Sequence, residues 1–260
     1  MSCARYLAED AAGADTTASA VKLRQARQSL ADFTRATGGR VDSARTSVHG
    51  FGRSASSKAA WAAKKVTALN EVLRIEPQPV TMQSIASVKP FVCEILDSSG
   101  QRQLQNAHKR LLMTASKQPS GVEVGRLFDL HMKPLTQDVM GDPDGHTVKL
   151  PNPSEPYVAI HTHPACGIFS NGDLSNFANK SNLKLLTAIG HNGHVYAVEK
   201  GTDYDAIATK GIIWKLNAEI DQLKNIPRAE LPDEQLLEQA EKLVWQAIGE
   251  LQKNGVKFYE

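Results

Sequence analysis

The stretch His161-Thr-His-Pro-Ala-Cys-Gly-Ile-Phe-Ser-Asn-Gly-Asp173 gathers two histidines, a serine and an aspartate within 13 positions. Residues i and i+2 of a strand share a face about 6 to 7 Å apart, so a strand here lets His161 and His163 aim imidazole nitrogens at one metal ion. Pro164 ends that strand. Ser170 has the character of a helix N-cap, which puts Asp173 in the first helical turn, able to fold back as a third ligand. Two imidazoles and one carboxylate around a metal with its fourth position free form the donor set of a hydrolytic zinc centre, where a bound water has a pKa of about 7. Each half also has a plain structural use: a His-X-His pair can be satisfied polar groups on an apolar strand, and Ser-X-X-Asp is an ordinary capping arrangement. Their occurrence together, in the order strand, Pro-containing loop, capped helix, is what points to a metal.

These residues resemble the signature of the JAMM (MPN+) metallopeptidase family, a Glu on an earlier strand followed by His-X-His-Pro, a loop and Ser-X-X-Asp, over about residues 100 to 200. The resemblance implies that His161, His163 and Asp173 bind zinc, that Ser170 stabilises the oxyanion, and that an upstream Glu acts on the attacking water. The loop from His163 to Ser170 holds six residues, one fewer than the commoner form of the family. Of Glu94, Glu123 and Glu155, the last lies between two prolines only six residues ahead of His161, too close to reach round the metal from a neighbouring strand. Glu123 follows Pro119 at the start of an expected strand, in a string, Val122-Glu-Val-Gly125, similar to the family's Glu-X-X-Gly with one residue fewer, and it takes the family's Glu position. The implied function is a zinc-dependent hydrolase of peptide or isopeptide bonds acting on proteins, peptides or ubiquitin-like conjugates. Two other classes stay open on sequence alone: a catalytically silent capsid-associated module that keeps the fold, and a metal hydrolase of a non-peptide bond.

The elements that must position the site can be read from periodicity. Leu104, Ala107, Leu111 and Leu112 recur at helical spacing over Gln101 to Ser116, and Pro119 and Gly121 end that helix. Strands are expected over Val122 to Leu130 and Tyr157 to His163, with Asp142-Pro-Asp-Gly-His as turn residues between them. Asn192-Gly193 between the apolar runs Leu183 to Ile189 and Val195 to Val198 predicts a hairpin, its flanking His191 and His194 being read as exposed turn residues. Two amphipathic helices, within about 203 to 254, and an edge strand Val256 to Tyr259 complete the chain. This alternation of helices and short strands predicts an α/β fold, a mixed sheet over 81–260 with the metal site at one edge of it, between the His161 strand and the Asp173 helix, and the family resemblance implies JAMM/MPN-like (cytidine-deaminase-like) layering.

The preceding residues differ in character. Residues 1–90 carry 13 Lys and Arg against 7 Asp and Glu, a balance of +6, whereas the rest carries 17 against 21, a balance of −4. Such a sign change marks separate units and leaves nucleic-acid contact by the basic one as an open expectation. Ala20, Leu23, Ala26, Leu30 and Phe33 predict a helix over 17–36, and an alanine-rich helix is expected over 54–73 after the turn around Phe51. Alanine-faced helices remove little area from water, so this unit, about residues 1–80, needs a partner surface. The strings Arg24 to Gly38 and Val48-His-Gly-Phe-Gly-Arg-Ser54 are similar to the carboxy-terminal part of tailed-phage minor capsid proteins, which implies a phage or prophage origin, capsid proteins as partners, and a cytoplasmic or virion-associated location. Ile75-Glu-Pro-Gln-Pro-Val80 reads as the linker. The 41% hydrophobic and 22% charged residues are those of an ordinary globular chain, and neither a membrane span nor a secretion signal is expected. Cys3, Cys93 and Cys166 lack the paired spacing of a thiolate site or a disulfide framework, and Cys166, in the metal loop, is read as a packing residue.

Overall fold

A computed structural model describes residues 76–142, 147–227 and 229–260. The helices expected over 17–36 and 54–73, nearly all of the 1–80 unit, and turn residues 143–146 lie outside the described residues. Within them the chain is mixed α/β: helix α1 (Met82–Ser87), α2 (Ser98–Ala115), strand β1 (Val124–Asp129), β2 (Val139–Met140), β3 (Tyr157–His163), α3 (Asn171–Asn179), β4 (Leu183–Gly190), β5 (Val195–Lys200), α4 (Ala206–Asn225), α5 (Asp233–Gln252) and β6 (Val256–Tyr259). The six strands form one sheet in the order β2-β1-β3-β4-β5-β6. Only β3 and β4 run parallel, joined by the crossover helix α3; every other neighbouring pair is antiparallel. Among the described residues no helix is long and apolar enough to cross a membrane.

Helices cover both faces of the sheet, and the strand sequences show it. All seven residues of β3 are buried, as a strand packed on both sides requires. On one face Val158 and Ile160 join Val124, Phe128, Leu185 and Ile189 against Leu104, Leu111 and Leu112 of α2. On the other, Tyr157 and Ala159 join Leu127, Leu186 and Val198 against Leu174 and Phe177 of α3, Ile213 and Leu216 of α4, and Val244, Ile248 and Leu251 of α5. Strand alternation then carries His161 and His163 onto the α3–α5 face and Thr162 onto the α2 face, where its hydroxyl accepts the Val124 amide at 2.9 Å.

Several boundaries differ from the sequence reading. Helix α2 starts at Ser98 rather than Gln101, because Asp97 caps it by accepting the Gly100 amide at 2.7 Å. Strand β1 starts at Val124, so Glu123 sits just outside it. Helix α4 starts at Ala206, capped by Asp205, and α5 at Asp233. Helix α1 and the two-residue strand β2 were not expected. The cluster of His161, His163 and Asp173 is not at a sheet edge: β3 is an interior strand, and the cluster lies off the carboxyl end of the parallel β3–β4 pair, where an α/β crossover leaves a crevice.

Beneath the site, on the α2 face, His108 is fully buried with Nε2 at 2.8 Å from Thr187 Oγ1. Burial, helped by the nearby His161, pulls its pKa down to about 3, so the folded protein holds it neutral. Between an ordinary unfolded value near 6.5 and the folded value the unfolded chain binds more protons. Stability is therefore complete above pH 6.5 and is lost as pH falls toward 3, by up to about 1.4 kcal/mol per pH unit. Urea denaturation at pH 7 and pH 4 is expected to show this loss in the wild type and a shallower one in His108→Gln; equal pH dependences would show that His108 contributes nothing to acid lability.

Candidate metal centre

His161 and His163 converge because they are alternate residues of one strand, and Asp173 meets them because α3 begins directly beyond the loop that Pro164 starts. That loop closes tightly: the Cys166 amide donates to the His163 carbonyl at 3.0 Å, with Cys166 in the left-handed region at φ 60°. The His161 and His163 Nε2 atoms are 2.9 Å apart, Asp173 Oδ1 is 3.3 Å from His161 Nε2, and Oδ2 is 3.4 Å from His163 Nε2. Tetrahedral zinc with bonds of about 2.0 to 2.1 Å separates its donor atoms by about 3.3 Å, a spacing that the two His–Asp173 separations match, each to a different carboxylate oxygen, while the two Nε2 atoms stand at hydrogen-bond distance. His161, His163 and Asp173 can together hold a metal ion.

The surroundings support that donor role. His163 Nδ1 is 2.9 Å from the Gly167 carbonyl, which only accepts, so Nδ1 carries the hydrogen and the neutral ring presents a bare Nε2 lone pair to the centre. Ser170 and Asp173 form a capping box, the Ser170 Oγ accepting the Asp173 amide at 3.1 Å and the Ser170 amide donating to Asp173 Oδ2 at 2.8 Å. The Ser170 hydroxyl donates to the same Oδ2 at 2.6 Å. Cap and metal set thus share one carboxylate, and the cap fixes its rotamer.

The charges are strongly coupled. Burial alone disfavours the Asp173 anion, but the two histidines beside it hold its carboxyl well below the usual range. Burial likewise opposes a charge on His163, yet Asp173, with Glu123 and the Gly167 carbonyl, pushes the ring up to about 9. Glu123 is raised to about 8, chiefly by burial, with the His163 charge and a Val148 amide bond working the other way.

A cleft of about 330 Å³ opens at the centre, lined by Glu123, His163, Ser170 and Asp173 together with Thr147 and Val148. Its far wall is apolar, made by Ile168 and Phe169 of the loop, Ile220 of α4, and Leu237 and Val244 of α5. Of the other acidic candidates, Glu94 is exposed and paired with Lys257, and Glu155 is exposed; neither lines the cleft. His194 is exposed as expected, but His191 is buried. Its Nδ1 donates to the Gln78 carbonyl at 2.6 Å, a contact 113 positions apart that no local pattern announces. Cys166 stands outside the ligand set; its sulfur accepts the Asn192 amide at 3.3 Å, and burial raises its thiol pKa. The Gly167 carbonyl and the Val148 amide act through the backbone, so their residue types gave no signal. No family of known proteins, no curated protein and no solved structure matches the chain.

Proposed function

We propose that this chain is a zinc-dependent peptidase or isopeptidase of the JAMM type, with JAMM-like layering of the sheet and helices. The observation that carries the reading is the convergence of His161, His163 and Asp173, whose ligand atoms lie within 4.8 Å of one another, on a cleft that also holds a half-buried carboxyl, Glu123, and a hydroxyl, Ser170. A zinc ion supplies such a site with a water of lowered pKa and with polarisation of the amide carbonyl. His161, His163 and Asp173 are the residues that would hold it.

The rest of the work belongs to the chain. Glu123, which lines the cleft beside His163 and Asp173, takes the proton of the attacking water and returns it to the leaving amine. Ser170, which lines the cleft, holds Asp173 in its ligand rotamer and, on rotation of its hydroxyl, donates to the developing oxyanion. The apolar wall from α4 and α5 holds a substrate side chain and excludes water.

The test is a zinc-loaded preparation assayed on a peptide library and on a lysine-isopeptide-linked peptide, before and after removal of metal by 1,10-phenanthroline. Hydrolysis that disappears with the chelator and returns with zinc is the expected result. A protein carrying about one zinc per chain that hydrolyses neither bond type would reject the peptidase reading.

A further inference from the structure

The cleft beside the centre holds one charged side chain that the chemistry above leaves unused. Glu241 of α5 lines it together with Leu237, Ala240 and Val244, the i, i+3, i+4 and i+7 positions of one helical face. Val244 is buried, Leu237 is half-buried and Glu241 is exposed, so this wall passes from an apolar floor to an acidic rim. Ile220 of α4 and Phe169 complete the apolar part. None of the described residues that line the cleft is Lys or Arg, and among the described residues no cation is paired with Glu241. Helix α5 carries five acidic side chains against one Lys, Lys242, which does not line the cleft, so the wall is anionic and uncompensated. The rim continues into aromatic surface. Trp245, one turn beyond Glu241, packs edge-on against Tyr196 with ring centroids 6.2 Å apart. Burial, with the Glu260 and Glu241 carboxylates nearby, raises the Tyr196 hydroxyl pKa, which places the ring within reach of the same charge.

An apolar slot with a carboxylate at its mouth complements one kind of side chain. Lys and Arg lay a hydrocarbon stem along apolar surface and keep the charged head in water. An aliphatic side chain fills the same slot but leaves Glu241 unpaired, and an acidic one brings a like charge to the rim, so the slot discriminates by repulsion as well as by attraction. The faces of Trp245 and Tyr196 beside the rim favour a cation further. We infer that the cleft selects substrates by a Lys or Arg side chain next to the scissile amide, its stem against Ile220, Leu237 and Val244 and its charge at Glu241, which makes Glu241 a specificity-determining residue. The inference rests on the peptidase reading above. Because the ion pair forms at an exposed rim, it contributes as a surface pair does, about fivefold at the upper end, and salt screens it. The stem contributes more, since even one methylene in an apolar pocket is worth about tenfold or more.

The test uses the full zinc-loaded chain. Cleavage sites in a peptide library are first mapped by mass, and Lys or Arg is expected at one fixed position beside the cleaved bond. One cleaved peptide is then remade with that residue changed to norleucine, which keeps the stem without the charge, and to Ala, which keeps neither. From Lys to norleucine kcat/KM is expected to fall about fivefold at low salt and less at about 1 M salt, and from norleucine to Ala by a further tenfold or more, roughly. Glu241→Gln is expected to bring the Lys-to-norleucine ratio to about one and Glu241→Lys to bring it below one, with the norleucine-to-Ala ratio kept, a pattern that general damage to the fold does not produce. Cleavage with no preference for Lys or Arg, norleucine no better than Ala, or an unaltered ratio in Glu241→Lys overturns the inference alone. Hydrolysis of no peptide by the zinc-loaded chain overturns the peptidase reading and the inference together.

Discussion

His161→Ala/His163→Ala protein is expected to retain no more than background zinc, against about one per chain in the wild type. The double change removes two of three donor atoms, and the remaining Asp173 carboxylate is a weak monodentate site for zinc on its own. The loss is also visible without metal analysis. Zinc that binds the folded state and not the unfolded one raises stability by RT ln(1 + [Zn]/Kd), about 4 kcal/mol at a thousandfold excess over Kd. Thermal unfolding of the wild type is therefore expected to shift upward with added zinc, and that of the double variant to stay where it is. The metal-free proteins differ too, since Asp173 loses the two rings that hold its carboxyl low. Its own affinity for protons rises, and the variant is expected to be less stable than metal-free wild type near neutral pH. Undiminished zinc in the double variant would return the histidines to the role of satisfied polar groups at a strand end.

The same residues show why part of the site was legible in the sequence. His161 and His163 obey the strand's period of two, and Ser170 and Asp173 obey the capping box, both local rules that survive any tertiary context. Glu123 was found only through a family resemblance. Its partners are distant in sequence, the Val148 amide and a cleft shared with α4 and α5, and an isolated Glu at a strand start reads as exposed. The misreadings share a long-range cause. His191 looked like an exposed turn residue because Asn192-Gly193 is a hairpin signal, and the hairpin is there, with Gly193 at φ 88°; its ring is tied instead to the Gln78 carbonyl, 113 positions away. Strand β2 exists through two pairings to β1, Val124 with Met140 and Gly125 with Val139, and two residues carry no periodicity. Helix α1 is a single short segment capped by Thr81 and Ser84, a Ser in place of the Glu or Gln that marks a capping box. The site's place at the carboxyl end of an interior strand was likewise out of reach, because strand order is set by the crossover and not by any one strand's residues.

Three single substitutions are expected to separate holding the metal from doing the chemistry, with the largest effect on rate at Glu123. Glu123→Gln keeps the size and the capacity to accept the Val148 amide but cannot take up a proton, so zinc stays near one per chain while turnover falls about 100- to 10,000-fold, the range for loss of a general acid–base group. Ser170→Ala removes the hydroxyl that donates to Asp173 Oδ2 and accepts the Asp173 amide. As an N-cap loss it costs about 1 kcal/mol of stability, too little to unfold the domain. As a loss of one oxyanion donor it costs about 100- to 1000-fold in turnover, so the rate effect identifies a role beyond capping. Asp173→Ala loses both zinc and hydrolysis, because it removes a donor and leaves the capping amide and hydroxyl of Ser170 without their carboxylate. Zinc content and turnover measured on the same preparations give the pattern. A Glu123→Gln protein that turns over substrate at the wild-type rate would assign the proton transfer to another group, and a Ser170→Ala protein that loses about 1 kcal/mol of stability but no activity would reduce Ser170 to the cap of α3.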